Sequence, residues 1–471
     1  VVRIQKYDLH LIELRTRMPF RYGIATMTRV PQVFVRLWAE VDGKESIGIS
    51  SDCLPPKWFT KVPDKPLDDE IQEMLRVIRH ALELGLEARG SSVFEVWRHL
   101  YDAQASWAKT EGLAPLLSNF GTSLVERALI EAVCRAAGKT FAEMLRENLL
   151  GINLEQIHPT LRGKKPADLL PKMSLSKILA RHTVGLADPL MDADIPVGER
   201  LDDGLPQSLE ACIRAYGLRH FKIKVNGNLA QDAERLSRIA AIVQKHARPE
   251  FAFSLDGNEQ FKSLAAFQEF WEKVTERAEL RAFFRHLLFV EQPLHRDEAL
   301  QPGVGAALQK WPQRPPLIID ESDGTLEDLP AAIGLGYAGT SHKNCKGIFK
   351  GIANRCLLNF QSEQTHRTFL MSGEDLCNIG PVALLQDLAV MAALGIQSVE
   401  RNGHHYHAGL SQLPEQVQRQ TIAHHRDLYG ISSKGWPALQ ITEGQIHLNS
   451  VNKSPFGVGF LLDVEPFELV K

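Results

Sequence analysis

His220–Val225 reads HFKIKV and Phe251–Asp256 reads FAFSLD, with the helical stretch LAQDAERLSRIAAIVQKH (229–246) between them. Side chains alternate across a strand, so Lys222 and Lys224 face one way and Phe221, Ile223 and Val225 the other. A strand that turns two ammonium groups inward is costly unless a site needs them there. The rhythm of short apolar run and amphipathic helix repeats on both sides. TVGLA (183–187) precedes these two runs, and LLFVEQ (287–292), PLIID (316–320), AGTSHK (338–343), RTFLMS (367–372) and IQSVE (396–400) follow them. Repeated βα units imply a parallel sheet, and eight of them imply a closed barrel, whose reactive groups stand at the C-terminal ends of the strands.

Outward from the barrel, the chain divides by pattern. Residues 1–150 read as an α+β capping domain. VFVRLWAEVDGKESIG (33–48) alternates around Asp42-Gly43, a hairpin signal. SLVERALIEAVCRAAGK (123–139) has apolar residues at helical spacing and ends near Gly138. Residues 151–182, with the basic, proline-bearing GKKPADLLPKMSLSK, read as an inserted linker. The barrel is placed at 183–430, and 431–471 as a β-like segment that returns to the capping domain. The expected fold is therefore an α+β N-terminal domain followed by an α/β modified TIM barrel.

Composition excludes several classes of function. Of 471 residues 44% are hydrophobic, and the formal net charge is -3. Neither suggests a nucleic-acid or membrane partner. No apolar run is long enough to span a bilayer, and the first ten residues lack the apolar core of a signal peptide. The six cysteines are scattered without a CxxC, as reduced thiols would be. A cytoplasmic protein is expected.

The strand ends carry the chemistry. FAFSLDGNEQ places Asp256 at the end of strand three, LLFVEQPL places Glu291 at the end of strand four, and PLIIDES places Asp320 at the end of strand five. A single such Asp is more often a cap or turn former. Three on neighbouring strands converge, repel one another, and call for a divalent cation. Oxygen donors suit Mg²⁺, with Mn²⁺ as the alternative. Lys343, at the end of strand six, lies across the barrel mouth from Lys224, and Lys222 would depress its neighbour's pKa by like-charge repulsion. Two lysines around a cation suit removal of a proton next to a carboxylate, through a doubly charged enediolate.

At this point the sequence resembles the enolase superfamily, and most closely its muconate lactonising enzyme branch (mandelate racemase/muconate lactonising enzyme-like proteins). The resemblance rests on KIK (222–224), DGN (256–258), VEQP (290–293), IDES (319–322) and HKNCKG (342–347), in the family's order. It implies Lys224 as base, Lys222 as its partner, Lys343 as acid or base on the other face, and Asp256, Glu291 and Asp320 as Mg²⁺ ligands. Asn258 and Glu321 would stand behind them, and Lys346 would be a recurrent basic position or a solvated surface lysine. Strand seven, FLMSGEDL (369–376), offers no His, against a racemase-type His–Asp dyad; Glu374 and Asp375 there would contact the substrate or cap the next helix, capping being slightly favoured. After strand eight, SVERNGHHYHAGL (398–410) lacks an aspartate pair, which disfavours dipeptide epimerisation. Glu400 would bond the substrate. His404, His405 and His407 would contact it, form an ordinary loop, or hold zinc, for which no further ligand is evident.

The resemblance also implies that loops of the capping domain read the substrate's far end. These are MPFRYGIATM (18–27) and SSDCLPPKWF (50–59), with Arg21, Tyr22, Lys57 and Trp58 as specificity residues. Arg21 and Lys57 would favour an anionic or polyhydroxy group; Tyr22 and Trp58 would otherwise pack the domain interface. The expectation is a Mg²⁺-dependent racemase or epimerase, cycloisomerase or dehydratase acting on a small carboxylic acid, as a homo-oligomer. Its alternatives are a non-catalytic carboxylate-binding or scaffold relative, and an unrelated barrel aldolase using a Schiff-base lysine.

Overall fold

The computed structural model describes residues 1–470. Three antiparallel strands, β1 (Val2–Tyr22), β2 (Ala25–Val41) and β3 (Lys44–Cys53), form a meander that turns at Asp42-Gly43. Helices α1 (Leu67–Glu87), α2 (Val93–Thr110) and α3 (Pro115–Ala137) pack on it. Contact is closest at Gly48, where a Cβ would stand 1.9 Å from the carbonyl oxygen of Ala128 on α3. Helix α3 is buried on nearly every face, as a helix between two layers must be. It also braces the barrel. Asn119 donates to the Lys346 carbonyl at 2.7 Å, and Glu126 accepts the backbone N–H groups of Ile348 and Phe349 at 2.9 and 2.7 Å.

Eight parallel strands close the barrel: β4 (Lys177–Val184), β5 (His220–Lys224), β6 (Ala252–Asp256), β7 (Leu287–Glu291), β8 (Leu317–Ile319), β9 (Gly339–His342), β10 (Leu370–Gly373) and β11 (Ser398–Arg401). Each pairs with the next, and β11 pairs with β4 from Ser398↔Leu179 to Arg401↔His182. Strand β4 begins at Lys177, inside the stretch read as linker. Its Arg181 and His182 interrupt the apolar pattern, so only the second half of the strand carries a clear signal. Residues 151–176 form short turns against the barrel, where Asn359 donates to the Leu169 carbonyl at 2.7 Å.

The tail is shared between the two units rather than given to the capping domain alone. Gln445–His447 (β12) pairs antiparallel with β4, while Glu468–Leu469 (β13) pairs with β1 and Phe467 stacks on Phe34 at 4.5 Å. Among the described residues no helix is long and apolar enough to cross a membrane.

Candidate active site

The strand ends meet as the alternation requires. Lys222, Lys224, Asp256, Glu291, Asp320 and Lys343 are all buried at the C-terminal end of the barrel. At Gly257 a Cβ would stand 2.6 Å from Pro293 Cα, so the backbones after β6 and β7 approach closely enough to need glycine. This draws Asp256 and Glu291 together. Strands β5 and β9 are four apart in a closed ring of eight, so Lys224 and Lys343 rise from opposite sides of the mouth.

Lys222 is the hub. Its Nζ lies 2.8 Å from Glu374 Oε2, 2.9 Å from Glu400 Oε2, 2.9 Å from Glu291 Oε2 and 3.0 Å from Asp256 Oδ2. Burial works against its charge, but these four carboxylates hold its pKa well above the usual lysine value. It therefore stays a fixed cation. Asp256 Oδ2 sits between the two ammonium groups, 3.0 Å from Lys222 and 2.6 Å from Lys224.

Lys343 bonds Asp320 Oδ1 at 2.7 Å and Glu374 Oε2 at 2.6 Å. Burial again opposes its charge, and Asp320 and Glu374 raise its pKa well above the usual value. Burial pushes the Asp320 carboxyl up, yet Lys343 and Lys346 hold it well below the usual range. Lys346 is not a solvated surface lysine: it is buried, with Nζ 2.9 Å from Asp320 Oδ1 and 2.7 Å from the Asp320 carbonyl.

Of the two readings left open for Glu374, the one slightly favoured fails: it caps no helix. Its side chain is fully buried and bonded by Lys222 at 2.8 Å, Lys343 at 2.6 Å and Arg181 at 3.1 Å. Burial raises its pKa, but Lys222, Lys343 and Arg181 outweigh that and hold it well below the usual carboxylate range. Its place just past the end of β10 was the available signal, the same signal that identified Asp256 and Glu291. Asp375, for which the same two readings stood, bonds Arg401 and lines the cavity; burial lifts its pKa to about 6, against the pull of Arg401.

Behind the hub, Glu400 accepts from Thr183 at 2.5 Å. Asn258 donates its backbone N–H to Asp256 at 2.8 Å and its amide to Glu321 at 3.5 Å. Glu321 is buried, and its pKa is pushed to about 7 by that burial and by Asp320 and Glu259. The other expected contacts separate. Tyr22 and Trp58 line the cavity above the lysines with Phe20, Met27 and Pro55, and Leu376 and Cys377 face them. Arg21 is exposed instead, because it precedes Tyr22 in a strand and alternation turns it outward. Lys57 donates to the backbone carbonyls of Val62, at 2.7 Å, and Lys65. His404 does not line this cavity; its ring lies behind the barrel wall, Nε2 3.2 Å from His182 Nδ1.

The donor chemistry fits a hard divalent cation. Carboxylate oxygens of Glu291, Asp320 and Glu374 lie within 4.8 Å of one another, all buried. Burial and the charges of Asp256 and Glu374 push Glu291 well above the usual carboxylate pKa. Glu291 and Asp320 belong to the expected triad. Asp256, its third member, is drawn to the lysines, and Glu374 takes its place among the converging oxygens.

No family model matches the sequence, and no curated protein is found similar to it. Solved structures are similar in fold. A mandelate racemase/muconate lactonizing protein from Herpetosiphon aurantiacus superposes with a TM-score of 0.61 at 16% identity, over 96% of this chain and 97% of that one. A 2-chloromuconate cycloisomerase from Rhodococcus opacus 1CP gives 0.59 at 15%, over 94% of each chain. An enolase from Bradyrhizobium complexed with magnesium and mandelic acid gives 0.59 at 15%, over 100% of this chain and 99% of that one. The chain shares with these structures a fold of capping domain and barrel.

Proposed function

We propose that this protein abstracts the proton α to the carboxylate of a small carboxylic acid, with Mg²⁺ or Mn²⁺ as cofactor and racemisation or epimerisation, cycloisomerisation or loss of water as the outcome. One observation carries the reading: Lys224 and Lys343 reach one cavity from opposite sides of a barrel mouth floored by buried carboxylates. When bound, the cation would supply positive charge to the substrate's carboxylate oxygens as the enediolate forms. Glu291 and Asp320 would hold it, with Glu374 as the third donor.

The protein's own groups do the rest. Lys224 takes or returns the proton on one face and Lys343 on the other. Lys222 keeps Asp256, Glu291, Glu374 and Glu400 from springing apart. Tyr22, Trp58, Phe20 and Met27 exclude water and favour a substrate whose remainder is apolar, in place of the anionic group that Arg21 and Lys57 implied. The fold neighbours, which include a cycloisomerase and a structure holding magnesium and mandelic acid, support this class of reaction.

The test is α-proton exchange. Protein, Mg²⁺ and pooled carboxylic acids are incubated in D₂O and read by mass spectrometry and proton NMR. Uptake in one pool, lost on chelation and in Lys224→Ala and Lys343→Ala, is expected. Undiminished uptake in both variants would overturn the assignment.

A further inference from the structure

We propose that His182, Cys212 and His405 form a second metal site, separate from the carboxylate centre, for a borderline d-block cation of the Zn²⁺ class. The three come from β4, from the helix Leu209–Tyr216 and from the turn Gly403–Tyr406 that follows β11. All three are buried, and their donor atoms lie within 4.8 Å of one another. Cys212 Sγ is 3.5 Å from His405 Nδ1. His404 stands outside the three, its Nε2 3.2 Å from His182 Nδ1, so that His182 is left its Nε2 to give. Asp188 is less free to serve, since its Oδ2 accepts from Tyr406 at 2.6 Å and from the Gly185 N–H at 2.7 Å.

The donor set decides the cation. One sulfur and imidazole nitrogens suit Zn²⁺ and its neighbours and are poor ligands for Mg²⁺. A neutral imidazole has a lone pair to give to such a cation. Binding exchanges the thiol proton for the metal, Cys–SH + M²⁺ → Cys–S⁻–M²⁺ + H⁺, with the proton released to solvent and no change of oxidation state. Position gives the site a role. It lies where β11 closes on β4, one residue from Thr183, whose hydroxyl bonds Glu400. A cation held there by three side chains would staple the barrel seam to the 185–219 excursion behind the substrate cavity.

The full-length protein, stripped with a chelator and dialysed, is titrated with Co²⁺. Expected are a thiolate-to-cobalt charge-transfer band and tetrahedral ligand-field bands that saturate at one equivalent and vanish on addition of Zn²⁺. They should persist in Asp320→Asn, which disables the carboxylate centre, and disappear in Cys212→Ala and His405→Gln. X-ray absorption at the zinc edge of the loaded wild-type protein needs no variant to fold, and should show a mixed sulfur and nitrogen shell. No charge-transfer band, an unchanged band in Cys212→Ala, or an all-oxygen shell would each overturn the proposal and leave a neutral hydrogen-bonded cluster.

Discussion

Replacing Glu374 by Gln keeps the side chain's shape and removes one charge from the centre of the site. Its carboxylate lies 2.8 Å from Lys222, 2.6 Å from Lys343 and 3.1 Å from Arg181. With an effective dielectric constant of about 20, each contact is an attraction of roughly 5–6 kcal/mol. Repulsion from the neighbouring carboxylates and the cost of burial offset much of that sum. The depressed pKa of Glu374 fixes the sign, because the ionised form is the favoured one. Removing one partner of a buried ion pair costs about 3–5 kcal/mol. Glu291, relieved of one anion, ionises more readily and recovers part of the loss, which places the expected cost near 3 kcal/mol.

Urea unfolding of the chelated protein near neutral pH measures this cost directly, with the m-value as a check that the denatured state is unchanged. A loss below about 1 kcal/mol, or a gain, would refute the account of Glu374 as the anion that binds three cations. The same variant tests the metal. At a hundredfold excess over Kd, Mg²⁺ should stabilise the wild-type protein by about 2.7 kcal/mol. That increment should vanish in Glu374→Gln and survive in Asp256→Asn. The reverse pattern would return Asp256 to the ligand set and remove Glu374 from it.

Four further outcomes follow from the geometry. Gly48→Ala drives a Cβ to 1.9 Å from Ala128 O and 2.7 Å from Ala132 N, both backbone atoms, and should cost about 3 kcal/mol in urea unfolding. Glu321 has a folded pKa of about 7 against an ordinary value of 4.5, so between these the native state holds the extra proton. Its contribution is complete below the lower value and is lost as pH rises through the upper one. Stability of the chelated wild-type protein should therefore fall between about pH 4.5 and about pH 7, and by less in Glu321→Gln, the slopes differing by up to about 1.4 kcal/mol per pH unit. An equal slope in the two proteins would remove Glu321 as the source. Trp58→Ala removes an apolar wall of the cavity whose ring lies 5.2 Å from Lys343 Nζ, and should raise KM roughly tenfold or more. Lys57→Met should leave substrate preference unchanged, since Lys57 serves the backbone of its own loop.

Legibility differed from residue to residue. Strands β5 to β9 were readable because each is a compact apolar run between helices, and their terminal charged residues could be ordered from strand position alone. Strand β4 was half lost, because the inward Arg181 and outward His182 break the pattern by which a strand is recognised. Glu374 sits in the same relation to β10 as Asp320 to β8, one residue past its end. Capping was slightly favoured for it over substrate contact because nothing local distinguishes a carboxylate that caps from one that meets cations on other strands. Arg21 was misassigned for the opposite reason: its charge suggested a binding role that the alternation of β1 denies it.

The sequence by itself determined the barrel, the inward pair Lys222 and Lys224, and the order in which carboxylates and Lys343 arrive at its mouth. These follow from periodicity over a few residues, which local sterics and burial enforce. Only the tertiary structure decided which carboxylates share Lys222, that Glu374 joins them, that Tyr22 and not Arg21 faces the cavity, and that His182 and Cys212 stand against the histidines after β11. Those are distances between segments far apart in the chain, and they come into being when β11 pairs with β4 and the barrel closes.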